Sequence, residues 1–245
     1  MRVLLFLIGV LTAGWSSAGA PPSALRVLAA TLEQPTARYG HNVLGGNEYA
    51  RLRIRVERDA EAVTHVVDLP GDRVFEDVEA RLFSLAGADT PDAVAVVESS
   101  QAGGGQIAVY VPGGDALHRI ATPPIGRRNR WRAVVAIADL DGDGRPEIAE
   151  VDRPHLAGVL RVWRFEDGAL FPLTEEPGYS NHRIGDPFIL SGWRDCGDGP
   201  ELVLPDFAWS DLFAVTFDGG ALSRRALDLG PDRASLARAL TCEVS

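Results

Sequence analysis

The chain has 245 residues, with 34 acids against 24 basic residues, all Arg and none Lys, for a formal net charge of −10. That balance argues against a nucleic-acid partner, because phosphate binding needs a basic surface. The two cysteines have no C-x-x-C spacing, which gives no sign of a thiolate zinc cluster or a redox dithiol.

In chain order, Met1-Arg2 is followed by the apolar run Val3 to Leu11 and then by small residues through Ala20. A basic start, a short apolar core and an Ala-x-Ala-like end predict a secretory signal over 1–20, with cleavage near Ala18 or Ala20. The run is too short to span a bilayer. The expected mature chain, 21–245, is then a single exported domain, periplasmic or secreted, with no transmembrane segment after cleavage. Cys196 and Cys242 both lie in it, and an oxidising compartment makes a disulfide between them the expectation.

A Pro-acid pair opens an apolar run three times, at Pro91-Asp92, Pro146-Glu147 and Pro200-Glu201, at spacings of 55 and 54 residues. Four segments recur around each pair. The first precedes it (Ala80 to Ala86; Arg132 to Ala138; Pro187 to Trp193), and the pair opens the second (Ala93 to Glu98; Ile148 to Val151; Leu202 to Pro205). The third alternates and ends in aromatics (Gln106 to Tyr110; Leu160 to Phe165; Leu212 to Phe217). A Gly/Asp turn then leads to a fourth, starting Ala116-Leu117, Ala169-Leu170 and Ala221-Leu222. A weaker copy comes first: Arg26 to Glu33, Asn42 to Leu44, Arg51 to Val56 and Ala62 to Leu69. Period-two alternation between such turns is the pattern of antiparallel strands. Four short strands repeated every fifty-odd residues make a propeller blade. The predicted fold is all-β: a β-propeller of about four four-stranded antiparallel blades, in units near 25–70, 73–126, 128–183 and 185–228. In the tail, 230–245, Pro231, Leu236, Ala237 and Leu240 fit one short helix with Pro in its first turn, which a Cys196–Cys242 bridge would pin to the last unit.

The third unit contains Asp139-Leu140-Asp141-Gly142-Asp143-Gly144-Arg145-Pro146-Glu147. Acids at alternate positions on a curled backbone aim oxygens at one centre, and Ca²⁺ takes six to eight such oxygens at ~2.3–2.6 Å. Asp139, Asp141, Asp143 and Glu147 are the candidate ligands, with the Arg145 carbonyl and water completing the shell. The spacing is not that of an EF-hand, whose last acid comes at position twelve. The plainer alternative is a solvated acidic turn before a strand.

On these residues and the flanking strands, the chain resembles FG-GAP/VCBS-type repeat proteins, whose repeats also build the head of integrin α chains. The resemblance covers about 73–228 well and 25–70 loosely. It implies that the acidic loop joins the first two strands of a blade and binds Ca²⁺. The equivalent loops depart from the pattern: Ser84 to Asp92 keeps only Asp89 and Asp92, and Trp193 to Glu201 keeps Asp195, Asp198 and Glu201 but has Cys196 and Gly197 inside it. One full calcium site is therefore expected, with the Trp193 to Glu201 loop a lesser second candidate and none elsewhere.

Strand parity puts the acidic loops at one end of the sheets. At the other end lie Arg73, Glu76 and Asp77; Asn129, Arg130 and Trp131; and Asn181, His182 and Arg183, each group just before a first strand. Glu98, Asp152, Arg153, His155 and Trp209 sit in loops from second to third strands, and His41 is a further candidate from the first unit. His65 and His118 read as half-buried strand residues. Arg and aromatics around a concave opening suit recognition; inter-blade ion pairs, such as Glu76 or Asp77 with Arg130 or Arg183, are the structural alternative. No G-x-S-x-G, H-E-x-x-H, P-loop or dinucleotide motif is present, so no catalytic residue is assigned. The expectation is a non-enzymatic calcium-binding protein that binds a protein or glycan through the end opposite the calcium loop. The alternative is a hydrolase or lyase using His182, His155, Asp152 and Arg183 at the axis; a purely structural envelope partner is a third reading.

Overall fold

Period-two alternation becomes strand throughout. The computed structural model of the protein describes residues 25–46 and 48–244, and the expected signal at 1–20 lies outside them. β1 (Arg26–Pro35), β2 (Tyr49–Arg58) and β3 (Glu61–Asp68) form an antiparallel meander with β2 in the middle. β4 (Arg73–Phe75) and β5 (Arg81–Phe83) both pair with β6 (Ala93–Ser100), which is followed by β7 (Gly104–Gly113) and β8 (Ala116–Ala121). β9 (Arg132–Ala138), β10 (Glu147–Asp152), β11 (Val159–Glu166) and β12 (Ala169–Pro177) make a four-stranded sheet in chain order. β13 (Gly192–Asp195), β14 (Pro200–Pro205), β15 (Leu212–Phe217) and β16 (Leu222–Ala226) make a second, and α1 (Arg233–Leu240) closes the chain.

The third and fourth units thus have the expected strands in the expected order. The first two differ. A bridge between Tyr49 and Phe75 merges them into one eight-stranded sheet, where two separate sheets were expected. Asn42 to Leu44 is a turn, not a strand. The buried Glu48 carboxylate accepts the backbone N–H groups of Gly40 (3.0 Å), His41 (2.8 Å) and Asn42 (3.0 Å), which curls the chain just where the strand was expected to start. In the second unit the expected first strand, Ala80 to Ala86, is strand only over β5, and Arg73 to Phe75, expected in the preceding loop, forms β4; between them Oδ2 of Asp77 takes the Val97 N–H at 2.9 Å. In the fourth unit, Pro187 to Ser191 stays outside the ladder, with the Leu190 N–H donating to the Asn181 carbonyl. Pro231 precedes the helix instead of entering its first turn; Asp232 caps it, accepting from the N–H groups of Ala234 and Ser235.

Alternation also explains the layering. Every residue of β6 is buried. Its odd-numbered Ala93, Ala95 and Val97 pack with Trp131, Ile148 and Trp163, while its even-numbered Val94 and Val96 pack with Leu52, Ile54 and Tyr110. Next along the chain, Ala149, Val151, Leu160 and Val162 meet Leu202, Leu204, Val215 and Phe217. The other face of the last sheet, with Val203, Leu212 and Ala214, is covered by Leu236 and Ala239 of α1 and not by the first sheet. Cys196 and Cys242 are bridged, with an S–S distance of 2.06 Å, and tie the β13–β14 loop to the end of α1. Among the described residues, no helix is long and apolar enough to cross a membrane.

Candidate functional site

Two ends of these sheets carry the candidate residues. At one end, the β9–β10 loop brings Asp139, Asp141 and Glu147 together, with one oxygen of each within 4.8 Å of the others. Gly142 (φ 78°) and Gly144 (φ 88°) supply the left-handed backbone that this curl requires. Asp139 accepts from the N–H groups of Gly142 (2.8 Å) and Gly144 (3.0 Å), and Glu147 accepts from that of Leu140 (2.8 Å). Asp143 stands outside the group: it takes the Arg145 N–H (2.9 Å) and guanidinium (3.1 Å).

The residue that sequence reasoning missed here is Arg164. It lies opposite Glu147 in the β10–β11 register and donates to Oδ2 of Asp141 (2.7 Å) and Oε1 of Glu147 (2.5 Å), with Nη1 3.1 Å from Oδ2 of Asp143. No periodicity marked it, since Arg161 and Arg164 stand on opposite faces of β11; only the strand register sets Arg164 across from the acid that opens the second strand. Burial pushes the Glu147 carboxyl up, against the pull of the Leu140 N–H and Arg164. The donors are all hard oxygens, so the loop can hold a metal ion of the calcium type, in competition with Arg164 for the oxygens of Asp141 and Glu147. Four acids against Arg145 and Arg164 leave the cluster net negative. The loop from β5 to β6 packs alongside, for a Cβ on Gly87 would sit 1.9 Å from the Gly144 carbonyl oxygen.

The opposite end holds a cavity of about 330 Å³ lined by His41, Asn129, Arg130, Trp131, Arg153, Pro154, His155, Leu156 and Ile184. Asn129, Arg130, Trp131, Arg153 and His155 therefore converge as the sequence reading expects, and His41 joins them from the first unit. Trp131 is buried; its Nε1–H donates to the Glu76 carbonyl (2.8 Å), and it contacts His182 edge-on at 5.0 Å and stacks on His155 at 6.4 Å. His182 is pinned at both nitrogens: Nε2–H donates to the Asp186 carbonyl (2.8 Å), which leaves Nδ1 to accept from Nε2–H of His155 at 2.9 Å. Burial, with His182 and His41 nearby, lowers the His155 pKa to about 4, and burial lowers that of His182 as well. Asn129 (φ 54°) and Arg153 (φ 51°) hold left-handed conformations at the cavity wall, and the buried Oδ1 of Asn129 has no partner. Strain and an unmet acceptor at one mouth are features of binding sites.

Other candidates are spent on the fold. Glu76, fully buried, has Oε1 2.7 Å from Nδ1 of His41 and accepts Ser99 Oγ–H on Oε2 (2.5 Å); burial raises its pKa. Asp77 binds Arg81 at 2.8 Å. These acids do not pair with Arg130 or Arg183, as the structural alternative supposed. Asp152 is held by Arg153 (3.0 Å) and Arg161 (2.8 Å), Arg73 lies 3.5 Å from Glu98, and Asn181 donates to the Ala133 carbonyl. Arg183 lies over the Trp209 ring at 4.2 Å, outside this cavity. The exposed aliphatic rim, Leu156 (61 % exposed) and Ile184 (74 %), carried no sequence signal, since single apolar residues in loops do not stand out. Compared with protein-family models and with curated proteins, the chain matches none.

Proposed function

We propose that this is an exported, non-enzymatic calcium-binding protein of the FG-GAP/VCBS repeat type, an open or closed propeller of about four blades, which binds a protein or glycan ligand through the end opposite the calcium loop. One observation carries the binding half: the 330 Å³ cavity that gathers Asn129, Arg130, Trp131, Arg153 and His155 beneath exposed Leu156 and Ile184. The oxygen-only group of Asp139, Asp141 and Glu147 supports the calcium half, and the Cys196–Cys242 bridge is compatible with an oxidising compartment. The test is affinity capture from the extracytoplasmic fraction of the source cells. A partner retained by the parent and lost by Leu156→Asp with Ile184→Asp supports the reading; one retained equally by both sinks it.

A hydrolase or lyase at the axis is the second reading, and one observation favours it. His41, on the cavity wall, is held by the buried Glu76 carboxylate, an arrangement that suits a general base. Asp152 and Arg183 play no part in it, since one is consumed by two arginines and the other lies outside the cavity. Turnover of a captured ligand that His41→Gln abolishes, with binding retained, is the outcome that would establish this reading.

A further inference from the structure

We propose that the cavity takes an acidic peptide segment, its carboxylate set against Arg130 and an aliphatic neighbour laid on Leu156 and Ile184; this rests on the reading of that end as the binding face. The argument begins with charge. The chain is net negative by ten, yet Arg130 in the cavity lining, Arg128 two residues before it, and Arg183 next to the lining residue Ile184 but in a neighbouring pocket have no carboxylate partner among the described residues. Arg130 donates to the Asn129 carbonyl (2.8 Å), and Arg128 donates to the Tyr39 carbonyl (2.8 Å) while lying over the Tyr39 ring. Arg183 is stacked on Trp209. The cavity lining holds no acid; the buried acids behind it are consumed, and half-buried Asp186 lies with Arg183 in a neighbouring pocket. Glu48 takes three backbone N–H groups, Glu76 takes His41 and Ser99, Asp77 takes Arg81, and Asp152 takes Arg153 and Arg161. A concave wall whose anions are neutralised and whose cations are not attracts a carboxylate, and guanidinium binds one with paired donors.

The rim decides between a peptide and a sugar. Sugars stack on exposed aromatic faces, but Trp131 is 2 % exposed, one face of Trp209 already carries Arg183, and Phe207, 43 % exposed, lies outside the cavity lining. What the mouth offers instead is the aliphatic surface of Leu156 and Ile184, which suits an apolar side chain beside the acid.

The probe is a labelled peptide of alternating Leu and Glu, titrated into the full exported chain and followed by fluorescence anisotropy. A Leu/Gln peptide and an oligogalacturonate are the comparison ligands. Arg130→Gln with Arg183→Gln should weaken the Leu/Glu peptide by about tenfold, the size of one charge-assisted contact. Raising salt from about 20 to about 300 mM should weaken it further. A Leu/Gln peptide that binds as well as Leu/Glu overturns the proposal. Oligogalacturonate binding without peptide binding overturns it too, in favour of an acidic glycan, and leaves the binding face intact. If neither anion binds while partner capture still depends on Leu156 and Ile184, the charge argument is wrong and the face reading stands. If capture is also indifferent to them, both fall. Unchanged melting of the Arg variants shows that any loss is not unfolding.

Discussion

The two ends of the sheets treat charge in opposite ways. At the end of the β9–β10 loop, every carboxylate that faces inward meets a cation or a backbone N–H: Asp139, Asp141, Asp143 and Glu147 share Arg164, Arg145 and the loop's own amides. At the cavity end the buried acids are equally satisfied, but Arg128, Arg130 and Arg183 are left without carboxylates, and Leu156 and Ile184 are left in solvent. The first end is a closed account of internal partners, whereas the second keeps donors and apolar surface in reserve. Composition was identical material for both. What separates them is the chain's path, which sets Arg164 of β11 against the acidic loop and leaves Leu156 of the β10–β11 loop and Ile184 of the link between sheets in solvent.

The largest expected effect sharpens the closed end. Replacing Cys196 and Cys242 by Ser releases a link that spans 46 residues, worth about 4 kcal/mol in the chain-entropy model. Urea unfolding should show a loss of that order. The cooperative unit should also split, with β13–β16 and α1 melting before the middle sheet, visible in hydrogen exchange. A melt unchanged by the double replacement would show that α1 packing alone holds the tail.

The next effect tests the contrast itself. Arg164→Met strands the fully buried Glu147 carboxylate and should cost about 3 kcal/mol, as breaking a buried pair does. Arg130→Met, made at the opposite end to a residue without an acid partner, should change stability by no more than about 0.5 kcal/mol. Equal costs would mean that Arg130 has a structural partner after all, and the reserve of free cations would vanish.

Much of this was legible in the sequence, and the gaps have physical causes. β9 and β15 fall where alternation puts them, because each stands in a sheet with buried faces that enforce the period. The acidic loop was legible because its chemistry is local. Asn42 to Leu44 failed as a strand because a carboxylate six residues on, Glu48, takes the Asn42 amide and those of the two residues before it, a side-chain choice that no periodicity records. Arg164 was hidden because it acquires meaning from a partner on another segment, Glu147 across a ladder; His41 was a candidate by residue type, but its partner Glu76, thirty-five residues away, was not legible. The merger of the first two units rests on a single bridge, Tyr49 to Phe75, below the grain of any repeat.

A smaller effect separates the ends by pH. His155 has its folded pKa depressed to about 4 from an ordinary value near 6.5, so its contribution is full above pH ~6.5 and is lost as pH falls toward ~4. Glu76, Glu147 and Glu150, all pushed up by burial, act in the opposite sense: their contribution is full below about pH 4.5 and is lost as pH rises through their folded values. Parent and variant must therefore be compared at each pH. His155→Gln should flatten the fall of the urea midpoint between pH 7 and pH 4.5. A slope identical to the parent's would place the low-pH loss elsewhere.

The smallest effect belongs to calcium, and it turns on Arg164. A guanidinium and a divalent ion cannot both occupy the oxygens of Asp141 and Glu147, so each binds at the other's expense. With a dissociation constant near 10⁻³ M, in the range of extracellular sites, about 10 mM Ca²⁺ should raise stability by about 1.4 kcal/mol. Asp141→Ala with Asp143→Ala should abolish that increment, because it removes one acid of the three-acid group and the acid beside it while leaving Glu147 to Arg164. Arg164→Gln should do the reverse: lower stability without calcium, but enlarge the calcium increment, since the ion no longer displaces a resident cation. An increment that survives loss of the two aspartates puts calcium at another place on the chain. One that is unchanged by Arg164→Gln means that the guanidinium never held the seat.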